Sequence, residues 1–422
     1  MINDFRNSQI KTAIIGSGIS GLSLAYFLRD NKNLVLFEGE KRLGGHSRTI
    51  NLDYQGEEIA VDTGFIVFND RTYPILLQLF AELKLEILKT EMSFAASVNN
   101  GEIEWSGDSL KSFFAQKKAI FSPSSWRGLF DIIRFNKKAL LLVNKQPEMK
   151  LGEFIEFLGM GEWFKKYYLL PMGAAIWSCP IEQMLEFPAK SFINFFHNHG
   201  LLSINNRPQW FTLKGGSINY IQKISSYLTE RVRLNSKVVS LKKLTNGEKE
   251  ITTEDGRKEN FERVIFACHG NQALKILQDP SKEQAEILSA FKYQKNIAYT
   301  HRDIRQMPIR KICWSSWNYL SKQNEQNQLA VSYWMNKLQS LNPSKPIFVT
   351  LNPIEKIHED YIFDEYTFEH PVFDRGAILA QKRIQNIQGL DNIWYCGAHL
   401  GYGFHEDGIK SANDLAKYYG HI

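Results

Sequence analysis

The chain predicts an α/β fold. One domain has a parallel sheet assembled from segments far apart in sequence, and a second, α+β domain has an antiparallel sheet. Three observations carry this. Near the start, "KTAIIGSGISGLSLAYFLRD" runs from a short apolar strand through a glycine cluster into a helix. At the far end, "NIWYCGAHLGYGFHEDGIKSANDLA" repeats the order strand, glycines, helix. Between them, residues 291–384 contain segments with aromatics at alternating positions, as half-buried strands do.

The 422 residues suffice for two or three folding units. With 51 Lys and Arg against 45 Asp and Glu, the net charge of +6 is mild and spread out, and gives no ground for a nucleic-acid partner. Cys179, Cys268, Cys313 and Cys396 lie far apart without a CxxC pair. That composition suits a reduced, cytoplasmic chain. The opening "MINDFRNSQIKTAIIGSG" lacks the features of a signal peptide, and no run of about 18 apolar residues predicts a membrane span.

The first element, "KTAIIG", reads as a buried parallel strand. Gly16-x-Gly18-x-x-Gly21 follows, then a helix whose first residues include Ile19 and Ser20, and a second strand, "LVLFE", ending at Glu38. Gly16 suits a tight turn, Gly18 the approach of a pyrophosphate, and Gly21 close packing of helix on strand. The helix N-terminus offers free N–H groups to phosphate, and Glu38 can accept hydrogen bonds from ribose hydroxyls. An acid there disfavours a 2′-phosphate, and with it NADP.

NAD and FAD are separated by the next segment, "EGEKRLGGHSRTINL". A second diglycine, Gly44-Gly45, follows Gly39 and Arg42 and precedes His46. A simple NAD domain has no need of it, whereas an extended dinucleotide ending in an isoalloxazine does. The pattern E-x-x-x-R-L-G-G-H-x-x-T resembles the E-x-x-x-R-x-G-G-R loop of the flavin-containing amine oxidase, protoporphyrinogen oxidase and phytoene desaturase superfamily. His46 replaces the usual arginine, which weakens any fixed cationic contact there. The resemblance implies an FAD-binding, Rossmann-like domain of amine-oxidase type. It would comprise residues 8–75, 206–290 and 385–422, with 76–205 and 291–384 forming the substrate domain. It also implies that "VDTGFIVFNDRTYP" passes beside the flavin, with Asp62, Thr63, Gly64 and Phe65 closest, and that Val238 contacts the adenine through its backbone.

Further segments follow in order. "SPSSWRGLFDIIRFNKKALLLVNK" lies within residues 111–145, where basic residues outnumber the one acid, Asp131. Such a stretch suits either an anionic membrane surface or a solvated helical face. "YLLPMGAAIWSCP" and "NHGLLSINNRPQWFTLKGGSINYIQKI" look like substrate-domain segments. With the closing stretch they resemble a bacterial branch of predicted NAD/FAD-binding proteins similar to amine oxidases, often found beside enzymes that modify unsaturated acyl chains. "GEKEITTEDGRKENFERVIFACHG" predicts two hairpin strands about an Asp255-Gly256 turn and a third strand. Cys268 and His269 at its end read as structural rather than as a catalytic pair.

In the closing stretch, Gly397 and Ala398 would approach the pyrophosphate and ribityl chain. N–H groups around Asp407, Gly408 and Ile409 would face the reduced ring. The spacing of His399, His405, Glu406 and Asp407 is not that of a metal site. Tyr402, His405 and Trp177 are the candidates beside the substrate. The expected activity is hydride transfer from a substrate C–H to flavin N5, most readily on a lipid or fatty-acyl chain. An amine oxidase acting on a small amine with oxygen as acceptor, and a non-redox flavoprotein or isomerase, stay open. The sequence specifies neither electron acceptor nor general base.

Overall fold

The computed structural model describes residues 10–146, 148–177, 181–203, 207–322 and 328–418. Ser178, Cys179 and Pro180, and residues 204–206 of the second substrate-domain segment, lie outside them.

A five-stranded parallel sheet forms the base, in the order Val232–Arg233, Leu34–Phe37, Thr12–Ile15, Arg263–Phe266, Ile393–Tyr395. All four residues of Thr12–Ile15 and all four of Arg263–Phe266 are buried, which explains their unbroken apolar character. Ile14 sits in register with Leu36 on one side and Ile265 on the other. One face is covered by the helices Ile19–Phe27, Ile218–Leu228 and His405–Tyr418, whose Leu22, Ile224 and Ile409 share a core. The helix Pro74–Glu82, which the expected boundary at residue 76 assigns mostly to the substrate domain, joins that core through Leu76, Leu79 and Phe80. The opposite face meets the predicted hairpin, Lys249–Thr253 and Lys258–Phe261, with Val238–Lys243 completing a three-stranded antiparallel sheet.

A second sheet has seven strands, in the order Ile362–Val372, Lys292–His301, Phe348–Leu351, Gln328–Trp334, Trp317–Lys322, Phe94–Val98, Ile103–Ser106. It is mixed rather than wholly antiparallel as expected, because Phe94–Val98 runs parallel to Trp317–Lys322. More than 200 residues separate the two strands, so no hairpin constrains their direction. Helices packed on this sheet, among them Pro123–Val143, Leu170–Trp177 and Ala189–Asn198, bury an aromatic-rich core.

Candidate active site

The first turn separates the three glycines by function. Gly16 has φ +102°, which disfavours any side chain, and its N–H donates to Phe37 O at 2.9 Å. A Cβ on Gly21 would lie 1.9 Å from Gly16 O, so this position holds the helix against the turn. A Cβ on Gly18 would meet nothing within 4 Å. Gly18 therefore fronts open space, at a helix start where no side chain caps the free N–H groups. The closing helix begins against the same place: a Cβ on Gly408 would come 2.7 Å from Ile19 and 2.9 Å from Ser20. Two helix N-termini converge here, and their partial positive charges add. Gly408, expected beside the reduced ring, is thus placed against Ile19 and Ser20 of the first turn.

Glu38 ends the second strand and is pinned in place. Its carboxylate accepts from Ser17 N at 3.0 Å, from Ser17 Oγ, and from Glu40 N at 2.9 Å. Gly39 lets the Val238 strand approach, since a Cβ would lie 3.1 Å from Lys237 Cβ. Val238 itself is buried in the core, so its side chain is closed to a ligand, and it pairs with Thr253 across the three-stranded sheet. In the diglycine loop, Gly44 N donates to Ser17 O at 3.0 Å, tying the loop to the first turn. Arg42 closes the loop by donating to Gly45 O and to the Tyr366 hydroxyl, both at 2.9 Å.

His46 lies with its ring 5.1 Å from Phe368, 5.2 Å from His370 and 6.2 Å from His269. Its Nε2 is buried and has no hydrogen-bond partner among the described residues. Burial, reinforced by His269 and Arg42, pushes His46 down to about 4, so at neutral pH it is an uncharged group facing the site. His269 stacks on Tyr293 at 4.0 Å, and its Nδ1 lies 3.5 Å from Glu369 Oε2. The Cys268 thiol is pushed up to about 12 by burial, which removes it as a nucleophile at neutral pH.

The segment after the loop is held tightly. Thr63 N donates to Arg48 O at 2.8 Å and Phe65 N to His46 O at 2.9 Å. Gly64 passes so close that a Cβ would lie 2.1 Å from His46 O. Asp62, expected nearest the flavin, instead clamps three segments. Its carboxylate accepts from Ser217 N and Oγ, Thr49 Oγ1 and Gln339 Nε2. Burial outweighs these bonds and pushes Asp62 up to about 6.

The closing segment resolves its own cluster of ligand-like residues. Glu406 accepts from Ile75 N at 2.9 Å and Leu76 N at 3.0 Å, capping the helix Pro74–Glu82. Asp407 accepts from Phe404 N at 2.9 Å, inside its own turn. Gly397 N donates to Ser411 Oγ at 2.9 Å, and Gly401 N and Gly403 N donate to Ala398 O at 3.0 and 3.1 Å, folding the glycine run back over the helix start. His399 is buried edge-on against Phe291. Among the described residues, no group of three His, Cys, Asp or Glu is placed to hold a metal ion.

The three substrate-side candidates separate into two groups. His405 stacks on Phe65 at 3.7 Å and bonds Ser47 Oγ at 2.7 Å, which in turn accepts from the Tyr220 hydroxyl at 2.6 Å. Burial pushes His405 down to about 3, so it is neutral at physiological pH. Tyr402 and Trp177 instead share Phe195, with ring centroids 5.8 and 4.8 Å from it. Trp177 is buried among Phe187, Phe192 and Phe195, one ring behind Tyr402, and its Nε1 has no partner among the described residues. Phe404, 4.9 Å from Phe195, and His199, 3.8 Å from it, complete this group. Ser47, Tyr220, Ser217 and Gln339 emerge only in three dimensions. Ser217 had a signal in its diglycine turn; Gln339 had none.

These residues fit a dinucleotide on three counts: open space at Gly18, two converging helix N-termini, and an orphaned buried nitrogen on His46. They define the class of dinucleotide-binding proteins with a parallel sheet. Comparison with known sequences narrows it, for the profile of the family described as flavin containing amine oxidoreductase matches residues 19–301, about two thirds of the chain. The chain belongs to that family, as an oxidoreductase with FAD as cofactor. No curated protein matches the sequence significantly.

Among solved structures, a fatty acid isomerase from P. acnes that produces CLA is similar, with TM-score 0.68 and 13% identity over 97% of this chain and 99% of that one. A putrescine oxidase bound to putrescine gives 0.66 and 15% over 97% and 98%. Cyclohexylamine oxidase from Brevibacterium oxydans gives 0.65 and 13% over the same shares. At such identities the likeness establishes the fold.

Proposed function

We propose that this flavoprotein oxidises a C–H bond of an apolar, acyl-chain substrate, in the manner of a desaturase or dehydrogenase. FAD, when bound, supplies the hydride acceptor at N5. Gly18, Ile19, Ser20 and the loop at Gly44-Gly45 would hold its pyrophosphate, on a turn shaped by Gly16 and Gly21, and Glu38 its ribose. The N–H groups at Gly408 and Ile409 would offset negative charge.

One observation carries the substrate reading. The side chains gathered around Phe195, which stands next to Tyr402, are Phe404, Trp177 and a neutral His199, pushed down to about 4 by burial. The nearby acids are engaged elsewhere, Glu406 as a helix cap and Asp407 within its own turn. A cationic amine would need a free carboxylate in that position, whereas an acyl chain needs apolar walls that exclude water. The fold itself does not choose, since relatives described as a fatty acid isomerase and as amine oxidases share it. The similarity to the isomerase favours one second reading, rearrangement of a double bond without net oxidation.

Incubation with phospholipids, free fatty acids and an amine panel, with products identified by mass spectrometry, tests this. New unsaturation in the acyl chain supports the proposal. Positional isomers without a consumed electron acceptor would replace it with isomerisation, and turnover of amines alone would overturn it.

A further inference from the structure

Outside the site, the helix Pro123–Val143 and the turn leading into it form an outward face that the fold leaves uncovered. The inward side of this helix is spent on the core, through Gly128, Phe135, Ala139 and Val143. The outward side still carries large apolar groups: Phe121 is 84% exposed, Leu141 69%, Phe130 64%, Ile120 46% and Trp126 41%. Phe130, Leu141 and the cations at 127, 134, 137 and 138 recur at spacings of three, four and eleven, which puts them on one side of the helix. The approach is braced, because Trp126 Nε1 donates to Ile120 O at 2.8 Å and Phe114 packs on the Trp126 ring at 4.6 Å. Phe121 is thus held outward on a short, tied turn.

Charge on this face is of one sign. Residues 110–145 contain eight Lys and Arg and a single acid, Asp131. Asp131 is buried, binds Arg134 at 2.8 Å and accepts from Gly161 N at 2.8 Å, so it does not reach the surface. Among the described residues, Lys117, Lys118, Lys137 and Lys138 make no ion pair, and all four are exposed. No helix of the described residues is long and apolar enough to cross a membrane.

We propose that this face docks on the surface of a bilayer containing anionic lipids, with Ile120, Phe121, Trp126, Phe130 and Leu141 entering the headgroup and upper acyl region and the flanking lysines pairing with phosphate. Apolar groups flanked by cations satisfy both requirements of interfacial binding, apolar burial and electrostatic attraction. A second copy of the chain is the weaker occupant, since a twofold contact would set this cationic face against itself. The inference stands apart from the substrate reading: vesicle binding can hold while lipid turnover fails.

The test is flotation of the full flavin-loaded chain with vesicles of phosphatidylcholine alone and with 30% phosphatidylglycerol added, alongside sedimentation velocity without lipid. Expected is at least a tenfold preference for the anionic vesicles, declining as salt rises. F121S/F130S should lower partitioning at least tenfold, and K117E/K118E at least about fivefold per lysine. Both double variants should keep wild-type flavin content and melting temperature, because their side chains are exposed. Equal binding to both vesicle types, or none, would overturn the proposal. So would a wild-type dimer that F121S/F130S converts to monomer, which would give the face to a second copy.

Discussion

Alanine at position 18 separates the fold from the cofactor. The Gly18 backbone, at φ −63° and ψ −177°, is open to any residue, and a Cβ there meets no protein atom within 4 Å. The cost to the apoprotein is that of alanine at a helix N-cap, about 1 kcal/mol. With the pyrophosphate held there as proposed, a methyl group would displace it from the helix N–H groups, and losing one charge-assisted hydrogen bond costs about 2 kcal/mol, or about 30-fold in Kd. G18A should therefore melt within a few degrees of wild type as apoprotein, yet bind FAD about 30-fold more weakly by fluorescence titration. G21A is the contrast: its Cβ would lie 1.9 Å from a backbone oxygen, so it should lose the fold itself. Unchanged FAD affinity in G18A, or an apoprotein as damaged as G21A, would refute the reasoning.

Three further outcomes follow from the geometry. E406A leaves the N–H groups of Ile75 and Leu76 without their acceptor and should cost about 1–2 kcal/mol in urea unfolding. A chelator should leave the melting temperature of the wild type unchanged, as a capping role requires. His399 is buried and pushed down to about 3 by burial and by His269, from an ordinary 6.5. The unfolded chain takes up this proton from near pH 6.5 downward while the folded chain resists it, so the contribution is whole above 6.5 and lost as pH falls toward 3. At pH 5 the loss relative to pH 7.5 is about 2 kcal/mol, and urea unfolding of H399L should lack that component. H405A removes the bond to Ser47 and the stack on Phe65, and should destabilise the protein by about 2 kcal/mol. It should leave the pH dependence of flavin reduction between pH 6 and 8 unaltered, because the native ring is already neutral. A titrating limb that disappears in H405A would instead make His405 an acid or base in the reaction.

The dinucleotide turn was legible because each of its parts is local: strand, glycines, helix, strand and acid follow one another within about 30 residues. The closing strand and helix were legible for the same reason, and so was the need for the chain to return. What stayed hidden depends on contacts between distant segments. Asp62 looked like a flavin neighbour because Thr63, Gly64 and Phe65 follow it, but Gln339 and Ser217 claim its carboxylate. Glu406 reads from sequence as no metal ligand, but its role as a cap stayed hidden because nothing in its own segment reveals the bare helix start at Ile75. The parallel pairing of Phe94–Val98 with Trp317–Lys322 has no signature in either strand. Trp177 reads as a candidate beside the substrate, but sequence could not tell that Phe195 stands between it and Tyr402.

An acyl chain seated beside Tyr402, as proposed, should reduce the flavin where an amine does not. Anaerobic mixing of the oxidised, flavin-loaded protein with phospholipid vesicles, followed through the flavin absorbance, tests it most directly. Bleaching by the lipid, with no bleaching by putrescine or cyclohexylamine, is the predicted result. Bleaching by an amine with none by any lipid would contradict it.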